Sequence, residues 1–225
     1  MTTLLRALGL SVAALITMGN TGNWTTSVDV TPRAHTVGNP DAETTLKEFV
    51  SYTCPHCATF AIEGEAPLQL AYIGSGRLKL EMHSIIRNVV DLTATLMIQC
   101  GAPEKYLQNH TLFMLKQPEW LAVAQQSTAA QQALWTGPDR QRARQSMAKA
   151  FGFYDIMKTR GYDRPQLDRC LSDQTRADAL VANTQADYAD YGIRGTPSFV
   201  LDGELLDNVH NWSALETALT AYGRD

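Results

Sequence analysis

The stretch Glu48-Phe49-Val50-Ser51-Tyr52-Thr53-Cys54-Pro55-His56-Cys57 decides how this chain is read. Leu46, Phe49 and Val50 give Thr44 to Ser51 the apolar members of a strand, and that strand runs straight into the two cysteines. Downstream, Phe60, Ile62, Leu68, Leu70 and Ala71 fit a helix. Pro55 suits its first turn, where a missing N–H costs no intrahelical bond. Cys54 is therefore predicted at a helix N-terminus. There a Cys-x-x-Cys brings two sulfurs within bonding reach, and the free N–H groups and dipole of the helix end favour an anion on the first of them. Cys54 is the candidate attacking thiolate and Cys57, one turn deeper, the resolving thiol. Pro55 fixes the turn, and His56, protonated or aimed at Cys54, would favour the reduced pair and make the oxidised pair an oxidant. Zinc is the competing reading, since Cys and His types fit that metal, but Cys100 and Cys170 are not spaced as a second knuckle.

Working outward, Gly74-Ser75-Gly76 breaks the helix, and Arg77 to Ile86 alternates as a second strand. Residues 89–190 hold no convincing strand and read as a helical block, punctuated at Gly101, Pro103, Pro118, Gly152 and Pro165. The chain returns to strand at Ser198 to Leu206, where Asp202-Gly203 signals a hairpin turn, and a last helix covers Trp212 to Tyr222. The order is β-α-β, a long helical insertion, then β-β-α. The insertion must cover its apolar faces, so it is expected to cap the sheet end that carries the dithiol, with Gly192 and Gly195 suited to its hinge. Before the first strand, Asn23 to Asp41 reads as an extended arm or edge strand. Arg194-Gly195-Thr196-Pro197 precedes the third strand of this series, and a cis X-Pro there would offer the Thr196 backbone to an extended substrate; a trans turn proline is the plainer alternative.

The whole chain bounds these readings. Its 225 residues are 44% hydrophobic, enough for one substantial core, and its net charge of -4 with scattered basic residues gives no electrostatic case for a nucleic-acid partner. Met1 to Arg6 carries one positive charge and Ala7 to Met18 is an uncharged, mostly apolar run, the pattern of an export leader with a cleavage site after Gly19. An uncleaved N-terminal anchor is the other reading. Export places cysteines where disulfides persist. Of the four, Cys54 and Cys57 suit a redox pair, leaving Cys100 and Cys170 to form a stapling disulfide, remain separate buried thiols or act as a second redox pair. His83, His110 and His210 show no partner in the sequence and read as structural.

The segment 48–57, the helical insertion, and Gly195-Thr196-Pro197 followed by a strand resemble the DsbA family of exported dithiol oxidases, over most of residues 36–222. The resemblance implies an α/β thioredoxin fold with a helical insertion between its β-α-β and β-β-α halves. The corresponding division is a signal peptide at 1–19, an arm at 20–41, a thioredoxin domain at 42–88 and 191–225, and an inserted helical domain at 89–190. It makes Cys54 the nucleophile, Cys57 the resolving thiol, His56 the tuning residue, Pro197 a cis-proline beside Thr196 in a substrate-binding loop, and Glu48 a buried acid beneath the resolving thiol that could relay a proton. The plainer alternative for Glu48 is a solvated strand carboxylate. Some relatives carry a second disulfide in the cap, as Cys100 and Cys170 would. The expected protein is a periplasmic monomer without cofactor or metal, which oxidises reduced exported proteins and is reoxidised by a membrane-bound partner. Thr196 stands where these oxidases often have valine, so a disulfide isomerase or reductase remains a competitor. An exported chaperone or metal-binding module is the alternative from another class.

Overall fold

The computed structural model describes residues 23–223, and the leader predicted at 1–19 lies outside them. Six strands form one sheet in the order β1-β2-β4-β3-β5-β6, with β1 at Val28–Val30, β2 at Ala34–Val37, β3 at Thr44–Val50, β4 at Leu78–Ser84, β5 at Ser198–Leu201 and β6 at Glu204–Leu205. Central β3 pairs parallel with β4 and antiparallel with β5, setting Glu48 opposite Met82 on one side and Phe199 on the other. A strand bonded on both edges and covered on both faces must be apolar on both. Leu46 and Phe49 are fully buried, and so is Phe199 on β5.

The first helix, α1 (Pro55–Glu63), buries Cys57, Ala58, Phe60 and Ala61. It stops at Gly64, where a Cβ would meet the Phe60 ring at 2.8 Å. A short helix, α2 (Glu65–Leu68), and a π turn at Gln69–Ile73 follow. This break changes the facing of the predicted apolar stripe: Leu68 and Ile73 enter the core, while Ile62 is 59% and Leu70 77% exposed.

The cap runs through α3 (Val89–Ile98), α4 (Tyr106–Leu115), α5 (Gln117–Gln125), α6 (Ala129–Trp135), α7 (Arg140–Ala150), α8 (Phe153–Lys158), α9 (Arg164–Ser172) and α10 (Gln174–Tyr191). A disulfide joins Cys100, just past α3, to Cys170 in α9. Gly192 ends α10 at a φ of 63°, a left-handed C-cap that glycine adopts without a Cβ clash. The β5–β6 hairpin turns through Asp202 and Gly203 at φ 45° and 93°, two positive values, as the predicted Asp-Gly turn requires. The last helix, α11, occupies Trp212–Tyr222.

The arm is built into the sheet. β2 adds to β4 antiparallel, and Arg33, between β1 and β2, pairs with Asp187 and, at 2.7 Å, with Asp190 of α10. His83 of β4 meets Asp187 from the other side at 3.1 Å. Hairpin, sheet and the last cap helix are thereby tied together. Among the described residues no helix is long and apolar enough to cross a membrane.

Candidate functional site

Ser51, Tyr52 and Thr53 carry the chain from β3 to Cys54, the N-cap of α1, and Pro55 takes the first helical position. The Cys54 carbonyl accepts from the Cys57 N–H at 3.1 Å and from the Ala58 N–H at 3.3 Å, closing the first turn over the dithiol. Both sulfurs are free thiols. Cys54 shows 4% of its surface and Cys57 none, so one of the two offers a narrow point of entry.

The Thr196–Pro197 peptide is cis, and the Cys54 thiol donates to the Thr196 carbonyl at 3.0 Å. That bond holds the neutral thiol, whereas the Thr196 hydroxyl, buried with no hydrogen-bond partner among the described residues, favours the anion of either sulfur. His210 donates Nδ1–H to the Pro197 carbonyl at 2.8 Å, which gives one unassigned histidine a place in this loop. Cys54, Cys57, Thr196 and Pro197 thus come together, while Cys100 and Cys170 stand apart as the cap disulfide.

The two sulfurs are held at opposite ends of the thiol range. A hydrogen bond from the Cys57 thiol does most to bring Cys54 down to about 4. Burial opposes it, and the Thr196 hydroxyl and the N–H groups of Cys57 and His56 reinforce it. Burial pushes Cys57 well above its usual value, and the adjacent Cys54 anion pushes it further. An exposed imidazole stands at His56, with no hydrogen bond among the described residues. At a helix start the N–H groups point towards the cap, so it is the His56 backbone N–H that acts on Cys54, while the His56 side chain projects into solvent.

Ultraviolet titration of the reduced protein is expected to show one thiolate forming near pH 4; a first step near 9 would contradict it. Because folding holds Cys54 below its unfolded value, the reduced form gains stability that is complete above the unfolded pKa and is lost as pH falls through about 4. The oxidised form has no such term.

Glu48 lies in β3 at 1% exposure, with Oε2 unpaired. Burial raises its carboxyl to about 8, the Glu65 charge adds to the rise, and His110 offsets part of it. His110 is held between the Tyr52 hydroxyl, 2.9 Å from Nδ1, and Glu65 at Nε2. A carboxyl whose folded pKa lies above its unfolded value ionises more readily in the unfolded chain, so it costs stability as pH rises through this range. Glu48→Gln is expected to raise unfolding stability at neutral pH by roughly 1–3 kcal/mol and to slow thiol exchange. Urea unfolding and exchange rates measured on the same samples check both, and a destabilised variant with unchanged exchange would make Glu48 purely structural.

Two further residues touch this loop. Asp91 of α3, fully buried, accepts from the Ser51 hydroxyl at 3.0 Å, the Thr53 N–H at 2.9 Å, the Thr53 hydroxyl at 2.8 Å and the Arg87 N–H at 3.2 Å. Gln117, at the start of α5, donates Nε2–H to the Tyr52 carbonyl at 2.7 Å and to the Cys54 carbonyl at 2.9 Å. Sequence reasoning missed both, because neither lies near the dithiol in the chain.

An α/β sheet with a Cys-Pro-His-Cys pair heading its first helix, a cis-proline against that pair and a helical cap over it defines the class of thioredoxin-fold dithiol proteins. A family model described as Thioredoxin matches residues 30–221. The crystal structure of a protein-disulfide isomerase from Novosphingobium aromaticivorans is 39% identical, covering 84% of this chain and 96% of that one at a TM-score of 0.81. Wolbachia pipientis alpha-DsbA1 shares the fold at 16% identity, with a TM-score of 0.66 over 87% of this chain and 94% of its own. A Rickettsia bellii protein provisionally named a protein-disulfide oxidoreductase is 24% identical over 173 residues, 76% of this chain. The chain spans 58% of that relative's length. The chain belongs to the thioredoxin family, and its fold, helical insertion included, is similar to that of the Wolbachia protein.

Proposed function

We propose that this chain is a protein thiol-disulfide oxidoreductase that works as a periplasmic oxidase. The observation that carries the reading is the asymmetry of the pair: Cys54 caps α1 with an opening to the surface beside the cis Thr196–Pro197 peptide, while Cys57 is sealed one turn deeper, an arrangement that lowers the first thiol and raises the second. A substrate thiolate attacks Cys54 Sγ of the Cys54–Cys57 disulfide. Cys57 leaves as a thiolate and takes up a proton, for which Glu48 is the proposed relay. A second substrate thiolate then attacks the substrate sulfur of the mixed disulfide, and Cys54 leaves as its stabilised thiolate. Two electrons now reside on the protein as the dithiol, and a membrane-bound reoxidising partner removes them. Because a low-pKa thiolate leaves readily and stabilises the reduced state, the favoured direction is donation of the disulfide. Thr196 and Pro197 would align the substrate as an extended strand beside the sulfurs. The Cys100–Cys170 bond and the apolar leader pattern both support an oxidising, exported setting.

Thr196 before the proline and the 39% identity to a protein named a disulfide isomerase favour a second reading, a disulfide isomerase. The two separate when the oxidised chain is given a reduced, unfolded substrate and the reduced chain a scrambled one. Rapid formation of substrate disulfides with little unscrambling is expected. Efficient unscrambling with slow oxidation would favour the isomerase.

A further inference from the structure

The helical cap reaches into the catalytic loop with one acceptor and one donor, and each is matched to the groups it meets. Asp91 is a carboxylate with no exposed surface and, among the described residues, no cation in contact, an arrangement that is costly unless fixed donors surround it. Here four donors do so, three of them on Ser51 and Thr53 of the loop. Asn88 accepts from the N–H groups of Val90 and Asp91, capping α3, and donates to the Thr53 hydroxyl at 3.1 Å, which fixes the carboxylate and its loop together. From the opposite side Gln117, 1% exposed, spends one amide nitrogen on the carbonyls of Tyr52 and Cys54. Its bond to the Cys54 carbonyl is the third on that oxygen, after the Cys57 and Ala58 amides. Acceptors of the loop are thus taken by α5 and donors by α3.

We propose that Asp91 and Gln117 are positioning residues for disulfide exchange, forming a clamp through which the cap holds residues 51–54 so that Cys54 Sγ faces the N–H groups at the head of α1. The inference rests on the oxidoreductase reading above and assigns a task to the cap beyond covering the sheet. Without the clamp the loop can turn Cys54 away from those N–H groups, and the thiolate loses the stabilisation that makes it a good leaving group. Charge matters at Gln117: a carboxylate there would face two carbonyl oxygens it cannot bond and would lie beside the Cys54 anion.

The test uses Gln117→Met, which keeps the volume and removes both bonds, Gln117→Glu, and Asp91→Asn, which presents a donor to groups that are themselves donors. Each folded variant is titrated for its Cys54 thiolate by ultraviolet absorbance and assayed for exchange with a small disulfide at a pH below the unfolded thiol value. Gln117→Glu is expected to move the midpoint upward by about one pH unit, roughly tenfold less thiolate below the midpoint, and Gln117→Met by a smaller step in the same direction. Folded variants with the unaltered midpoint and exchange rate would overturn the clamp. An unaltered chain that exchanges no disulfides would instead sink the functional reading, so the two failures are distinct. For variants that do not fold, amide hydrogen exchange on the unaltered chain decides: the Thr53 N–H, bonded to Asp91, is expected to be as protected as the amides of β3, and free exchange at Thr53 would contradict the clamp.

Discussion

Cys54→Ser is expected to abolish disulfide exchange to background, whereas Cys57→Ser is expected to accumulate a mixed disulfide with substrate that does not resolve. The asymmetry follows from the two environments. Cys54 has the surface opening, the neighbouring N–H groups and a pKa of about 4, while Cys57 is sealed and held as a thiol. Serine in place of Cys54 removes the only thiolate the dithiol offers at neutral pH, and an alkoxide is not formed there to replace it. Serine in place of Cys57 leaves the attacking group but removes the thiol that closes the ring. Mass spectrometry of each variant, reduced and then challenged with a mixed pool of disulfide peptides, reads the outcome directly. Equal trapping by both variants would mean that either sulfur can attack.

Replacing both Cys100 and Cys170 by Ala is expected to cost about 4 kcal/mol of unfolding free energy, with the Cys54 titration unchanged. The bond closes a sequence separation of 70 residues that contains α4 to α8. A loop of that length loses about 4 kcal/mol of chain entropy from the unfolded state in the polymer treatment. Cys100 is 3% exposed and its carbonyl accepts from the Tyr162 hydroxyl at 2.7 Å, whereas Cys170 is half-buried, so a small-molecule reductant is expected to enter at the Cys170 sulfur. Urea unfolding of the folded variant checks the magnitude. A loss below about 1 kcal/mol, or a change in exchange by Cys54, would instead make this pair a second redox element.

The dithiol, the helix it heads and the strand behind it were legible because their signals are local. Proline at the first helical turn, alternation around Glu48, and Asp-Gly between two apolar runs each act within a few residues of where they are seen. The exposed faces of Ile62 and Leu70 were not legible, because the break at Gly64 comes from the Phe60 ring lying against that glycine. The pairing of β2 with β4 was hidden for a similar reason: a short strand in a polar arm takes its partner from tertiary geometry. Glu65 lies 45 residues from His110 and Asp187 104 residues from His83, beyond any sequence window. Asp91 and Gln117 escaped notice because an aspartate in the first turn of a helix and a glutamine at a helix start are ordinary surface choices. Only the fold shows that both are buried against the catalytic loop. The groups that act on Cys54 are the Cys57 thiol first, then the Thr196 hydroxyl and the N–H groups of Cys57 and His56, of which the sequence made only the Cys57 pairing and the helix-start N–H groups legible.

A Cys54 held as a stabilised thiolate by the cap and the head of α1 would make the oxidised pair a donor of disulfides. Equilibrating Cys54–Cys57 against a graded series of reduced and oxidised glutathione at neutral pH tests it most directly. A potential more oxidising than about -180 mV, the range of protein disulfide isomerase, is expected. A potential near -270 mV, where thioredoxin lies, would contradict it and make the protein a reductant.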